Sequence, residues 1–168
     1  MNVYDYLRQS IAAEYAPERS LRSGGRSTVQ VVRHRASGRR FVFREYRGSC
    51  AVYRKLLGIR CLNLPQILEA GEREGCAAVL EEYIEGDSLA FLLEGGVLTP
   101  AQARKTGRQL CAALWALHSV GAVHRDVKPE NVILCGDEAV LVDFDAARIW
   151  RPDLPCGADT TILGTTGY

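Results

Sequence analysis

Val3, Tyr6, Leu7 and Ile11 recur at helical spacing and predict a short helix within residues 1–19. Further on the period shortens. Residues 28–32 read as a strand and residues 41–46 as its partner, joined through Ala36-Ser37-Gly38, a turn composition. Residues 51–57 look helical. Residues 66–70 and 77–83 predict two more strands, with Gly71 and Gly75 in the turn between them. Gly86-Asp87-Ser88 breaks this pattern, and the chain beyond it turns helical. A short helix over 88–94 ends at Gly95-Gly96, and Thr99-Pro100-Ala101-Gln102 has the form of a capping box with proline at the first helical position. Leu110, Leu114 and Leu117 then mark one buried helix face, and Gly121 supplies the stop. Residues 132–134 and 140–142 are short apolar strands around the turn Gly136-Asp137, and residues 146–168 read as a loop. Strands dominate first and helices second, with a hinge-like break at 82–87. The expected class is α+β.

Composition narrows the choice of partners. A chain of 168 residues can bury one good core or parts of two small lobes. Its 21 basic and 20 acidic residues leave a net charge of +1, which offers no field to attract nucleic acid or an anionic membrane. The cluster Arg33, Arg35, Arg39 and Arg40 reads as a solvated strand and turn. Six cysteines (Cys50, Cys61, Cys76, Cys111, Cys135 and Cys156) are scattered without metal-ligand spacing, and several sit in apolar surroundings. A reducing cytoplasm fits them. Asp5 and Arg8 argue against a secretory leader, and the most apolar run, 110–123, is too short to span a bilayer. The oligomeric state is left open.

The chemistry concentrates in His124-Arg125-Asp126-Val127-Lys128-Pro129-Glu130-Asn131, followed by Asp143-Phe144-Asp145. Phosphoryl transfer asks mainly for positioning and charge neutralisation. At this spacing Asp126 can accept a hydroxyl proton, Lys128 can neutralise a moving phosphoryl group, and Asn131 with Asp143 can hold metal. The two motifs resemble the catalytic loop and metal-binding loop of eukaryotic-type protein kinases, and the resemblance covers roughly residues 20–168. It implies a two-lobed kinase fold: an extension over 1–19, a complete N-lobe with an antiparallel sheet over 20–84, and an incomplete helical C-lobe over 85–168. It further implies ATP and magnesium, a protein serine or threonine as acceptor, and the catalytic set Asp126, Lys128 and Asn131. Asn131 and Asp143 fall at the metal positions. Arg125 is the arginine that pairs with a phosphorylated activation loop in the family, and His124 reads as structural. Gly164-Thr165-Thr166-Gly167-Tyr168 looks like the start of the peptide-receiving loop, with Thr160 and Thr161 where activating phosphorylation often falls. The Ala-Pro-Glu motif does not come after it, so the chain reads as a fragment, expected to expose apolar surface and to have little or no activity by itself.

The nucleotide-holding half departs from the pattern. Only the middle glycine of the phosphate loop, Gly24, is in register; Gly25 adjoins it, and Arg22 and Ser27 replace the other two. Val29 and Val42 fall where the family packs adenine, and backbone groups of Glu82 and Ile84 where it meets the adenine edge. Arg44 replaces the strand lysine, and the two groups are not interchangeable. No acid occurs between Glu45 and Glu69, so the helix glutamate that holds the lysine in the family is absent. Glu81 stands at the rear of the adenine pocket, where a neutral residue is usual. Two outcomes are open: Glu81 pairs with Arg44, or it points to solvent. Asp145 stands where the family has glycine, either stiffening the metal loop or acting as a turn acid. These departures keep alive a rival reading, a pseudokinase that binds nucleotide or a partner without useful turnover. A small-molecule kinase is disfavoured by Arg125, Gly164 and Thr165.

Overall fold

Strand pairing organises the first part of the chain. A computed structural model describes residues 2–24 and 27–150, which fall into two units: Met1–Ile59 with Gln66–Tyr83, and Arg60–Pro65 with the chain from Ile84 onward. In the first unit β1 (Tyr15–Gly24), β2 (Ser27–His34), β3 (Arg40–Arg47), β4 (Ile67–Arg73) and β5 (Cys76–Glu82) form one antiparallel sheet in the order β1-β2-β3-β5-β4. Residues 41–44 of β3 and 77–81 of β5 are buried on both faces. β1 escaped the periodicity reading. Beyond Ala16 its residues are exposed, and Pro17 and Arg19 bracket a bulge, so an edge strand carrying proline shows no alternation to detect.

Helix α1 (Val3–Glu14) covers one face of this sheet. Leu7 packs with Val32, Phe41, Phe43, Ala78 and Leu80, flanked by Tyr4 and Ile11; burying one such leucine contributes about 1.5–3 kcal/mol. Asn2 caps the helix by accepting the Tyr4 N–H at 2.9 Å. The approach is close because Gly71 has no side chain: a Cβ there would lie 2.5 Å from the Tyr4 nitrogen. Asp5 with Arg73 (2.9 Å) and Arg8 with Glu45 (3.0 Å) tie the rim, each a solvated pair contributing about 0–1 kcal/mol.

The cross-strand pairs Val29–Arg44, Arg44–Val79, Val31–Val42 and Val42–Glu81 share the opposite face. Helix α2 (Ala51–Leu56) buries Val52, Tyr53 and Leu56. It lacks a capping side chain of its own, and Glu72 of β4 supplies one. The Cys50 N–H (2.9 Å) and the Ser49 hydroxyl (3.0 Å) both donate to Glu72, and they hold its carboxyl below the usual range, the Cys50 bond most of all. Burial pushes the Cys50 thiol up to about 11, so it packs as an inert small hydrophobe.

In the second unit β6 (Asp87–Ser88) leads into α3 (Leu89–Glu94), capped by the Ser88 hydroxyl, and then into α4 (Pro100–Ser119). The Thr99–Gln102 capping box is present with both of its bonds. The buried face of α4 runs through Thr106, Ala113 and Leu117, while Leu110 and Leu114 are only half-buried. Gly121, at φ 73°, stops the helix. The hairpin β8 (Val132–Cys135) and β9 (Glu138–Leu141) pairs through β8 with β6. Between α4 and this hairpin lies β7 (Ala122–Val123), which pairs with β10 (Arg148–Ile149), a strand inside the stretch expected to be loop. Its two residues are too few to carry a periodicity. Asn63 clips the 60–65 segment to β9, donating to the Ala139 carbonyl (2.9 Å) and accepting the Leu141 N–H through its own carbonyl (2.9 Å).

Candidate functional site

Three devices fold the segment 124–131 into a rigid loop. A 3-10 turn over Pro129–Asn131 starts with proline, which already has the required φ, and closes with the Asn131 N–H on the Lys128 carbonyl at 3.0 Å. Arg125 takes a left-handed conformation, φ 69°, that reverses the chain. His124, 1% exposed, then anchors the loop from below. Its Nε2 lies 3.2 Å from the Val142 carbonyl and its Nδ1 accepts the Asp126 N–H at 3.3 Å. A carbonyl can only accept, so Nε2 carries the proton and the ring is neutral. Burial lowers the His124 pKa, consistent with that form. Phe144 packs edge-on against the ring, with centroids 5.4 Å apart.

On this frame the polar side chains converge on Asp126. Lys128 Nζ lies 2.9 Å from Asp126 Oδ2, and Asn131 Nδ2 donates to the same oxygen at 3.0 Å and to the Asp126 backbone carbonyl at 2.9 Å. With its amide nitrogen turned onto Asp126, Asn131 directs its oxygen the other way. Asp126 and Lys128 side chains each keep 19% exposure, so the pair stays in reach of solvent and substrate. The Val142 N–H donates to the Asn131 carbonyl at 2.9 Å, which sets Asp143 one residue beyond the catalytic loop. Asp143 is half-buried and also left-handed, at φ 68°. Of three non-glycine residues in this costly region among those described, Arg125 and Asp143 fall at the candidate site and store backbone strain there, while Glu74 sits in the turn between β4 and β5.

Among the described residues no group of three or more His, Cys, Asp or Glu is placed to hold a metal ion. The oxygens on offer are the Asn131 amide and the Asp143 carboxylate. That is a poor set for a caged ion and a fitting one for magnesium, which keeps waters and shares substrate phosphates with one or two protein oxygens.

In the first unit the open question about Glu81 has an answer. Arg44 Nη2 donates to Glu81 Oε1 at 2.7 Å and Nε donates to the same oxygen at 3.1 Å. The two residues are only 4% and 3% exposed. Register explains the meeting: Val42 lies opposite Glu81, and Arg44 is the next residue of β3 on that face. Val29 and Val42 are buried on the same side, while Gly24 is exposed at the end of β1. The Glu82 N–H is bonded to the Gln66 carbonyl at 2.9 Å, and Glu82 lies opposite Phe41 at the end of β5. Ile84 is the half-buried first residue where the chain re-enters the second unit. Gly25, Thr160, Thr161 and Thr165 lie outside the described residues. Sequence reasoning missed Tyr53: its ring centroid is 5.6 Å from the Arg44 guanidinium carbon, and an aromatic on a helix gives no sign of its target. Asn63 was missed because its partners, Ala139 and Leu141, lie more than 70 residues along the chain.

The sequence is similar to those of known serine/threonine-protein kinases. Serine/threonine-protein kinase PknD of Mycobacterium tuberculosis is 36% identical over an alignment that covers 94% of this chain and 26% of that protein. Serine/threonine-protein kinase pkn2 of Myxococcus xanthus is 37% identical over 61% of this chain and 13% of its own length. PknE of Mycobacterium tuberculosis is 45% identical over 48% and 15%. The chain thus spans about a quarter or less of these relatives. The protein kinase domain matches residues 15–168. With that match extending from the first strand of the sheet through the strained loops around Asp126 and Asp143, this chain belongs to the protein kinase domain family.

Proposed function

We propose that the chain supplies the nucleotide-holding sheet and the catalytic loop of a protein serine/threonine kinase, which transfers the γ-phosphoryl group of ATP to a protein hydroxyl. The observation that carries this reading is the Asp126 carboxylate held at once by Lys128 and Asn131. In the step itself the acceptor oxygen forms a bond to the γ-phosphorus as the bond to the β–γ bridging oxygen breaks, and ADP leaves. The acceptor's proton passes to Asp126. Lys128, 2.9 Å from that carboxylate, neutralises charge on the moving group. Asn131 and Asp143 would hold magnesium, which supplies charge neutralisation across the phosphates. Arg44 would anchor the phosphates from the sheet, with Gly24 and Gly25 offering backbone amides. Val29 and Val42 would pack the adenine, and Glu81, Glu82 and Ile84 would line its edge.

On this reading the first unit serves as the N-lobe and the second as the start of the C-lobe, with 1–19 as an extension. Thr165 would bond to Asp126 and Lys128, as the matching threonine does in the family, and Thr160 and Thr161 would be phosphorylation sites; all three rest on the sequence pattern. The compartment we propose is the cytoplasm, supported by five free cysteines among the described residues. No helix among those residues is long and apolar enough to cross a membrane.

The test is transfer of labelled γ-phosphate from ATP to an acceptor protein, run on the whole protein with and without Asp126→Asn. Loss of the base is expected to slow transfer by about 10²–10⁴-fold. Transfer untouched by that substitution would refute the mechanism. A wild type that binds Mg-ATP and transfers nothing would instead favour the pseudokinase reading.

A further inference from the structure

Arg44 sits in the sheet with its charge almost wholly removed from water, and helix α2 offers it no acid. The helix sequence, Ala51-Val52-Tyr53-Arg54-Lys55-Leu56, adds two cations instead. What α2 does present is Tyr53, 0% exposed, with Arg44 lying over its ring at 5.6 Å. Tyr46 of β3 also meets this ring, its centroid 6.1 Å from that of Tyr53 and tilted by 48°. A planar guanidinium accepts two kinds of partner at once: a carboxylate takes its N–H edge, and the negative face of an aromatic ring takes its π surface. Glu81 supplies the first through two bonds to one oxygen, and Tyr53 supplies the second.

We propose that Tyr53 is the positioning residue for Arg44, taking by a cation–π contact the part that an acid on this helix would otherwise play. This rests on the reading of Arg44 as phosphate anchor. Helix α2 carries no acid, so its displacement breaks no ion pair between α2 and Arg44. It withdraws the aromatic wall that fixes the guanidinium's direction. Helix α2 therefore grades the grip on the phosphates and does not switch it.

The experiment titrates Mg-ATP and, separately, adenosine against wild type, Tyr53→Phe and Tyr53→Leu. A desolvated cation–π contact is worth about a five- to thirtyfold change in affinity. Tyr53→Leu should weaken Mg-ATP by that factor and leave adenosine, which has no phosphate, within about twofold. Tyr53→Phe keeps the π face and loses only the hydroxyl: Mg-ATP affinity near the wild-type value supports the contact, and a loss equal to that of Tyr53→Leu overturns it. Mg-ATP binding unchanged in Tyr53→Leu overturns the proposal, as does equal loss of Mg-ATP and adenosine, which would mark Tyr53 as packing alone. A wild type that binds neither probe defeats the kinase reading. Thermal melts of Tyr53→Leu, Arg44→Met and the double variant would then decide the contact: non-additive shifts support it, and additive shifts overturn it.

Discussion

The catalytic loop and the sheet each bring opposite charges together, and they do so on different scales. In the loop Asp126 meets Lys128 and Asn131, its neighbours within 5 residues. In the sheet Arg44 and Glu81 are 37 residues apart and meet only because β3 and β5 pair in one register. Burial separates them as well. The loop pair keeps 19% exposure on each side chain, whereas the sheet pair keeps 5% and 4%. A charge left near water can exchange a proton and meet a substrate. A charge sealed in a sheet must be matched, because its desolvation costs several kcal/mol if the partner is lost. The loop pair is thus open to solvent and the sheet pair is sealed from it.

The widest gap between the two should appear when one partner is removed. Glu81→Leu takes the carboxylate away from a buried guanidinium and is expected to destabilise the first unit by about 3–5 kcal/mol, read by urea unfolding. Pairing it with Arg44→Met removes both charges, and the double variant should recover most of that loss. A single variant within about 1 kcal/mol of wild type would show that the pair is not desolvated as its burial indicates. The loop should respond the other way. Asp143 is held at φ 68°, a conformation that costs a non-glycine residue about 1–2 kcal/mol. Asp143→Gly relieves it and is expected to raise stability by about 1 kcal/mol while metal-dependent transfer is lost. A destabilised variant would mean that the Asp143 side chain contributes more to folding than its backbone strain costs.

The same difference in range explains what could be read in advance. Asp126, Lys128 and Asn131 are legible because the loop's geometry is set within eight residues. Among the described residues, four of the five strands in the larger sheet and all four α-helices announced themselves through period and caps, Thr99 and Gln102 most clearly. β1 did not, because an exposed edge strand interrupted at Pro17 has no reason to alternate. The stripe on α4 was read through its leucines, yet the face against the core is made of Thr106, Ala113 and Leu117; small residues let β9 approach, where Gln109 bonds the Ala139 N–H at 3.0 Å. Glu81 could be paired with Arg44 as one of two outcomes, since strand counting gives a face and not a partner. Tyr53 could not be found, because the contact depends on how α2 lies against the sheet.

The smallest effect belongs to His124, and it separates the regions by pH. The ring is neutral, donating from Nε2 to Val142 and accepting at Nδ1 from the Asp126 N–H. Protonation would turn that acceptor into a donor facing another donor. Burial lowers the folded pKa, so below about 6.5 the unfolded chain takes up a proton that the folded chain refuses. Stability from this group is full above the unfolded value and is lost as pH falls through the folded one. His124→Gln should be less stable than wild type near neutrality. The gap should narrow as unfolding is measured from about pH 7.5 down to about pH 5.5, since the variant has no proton to refuse. A gap that stays constant over this window would show that His124 supports the loop by shape alone.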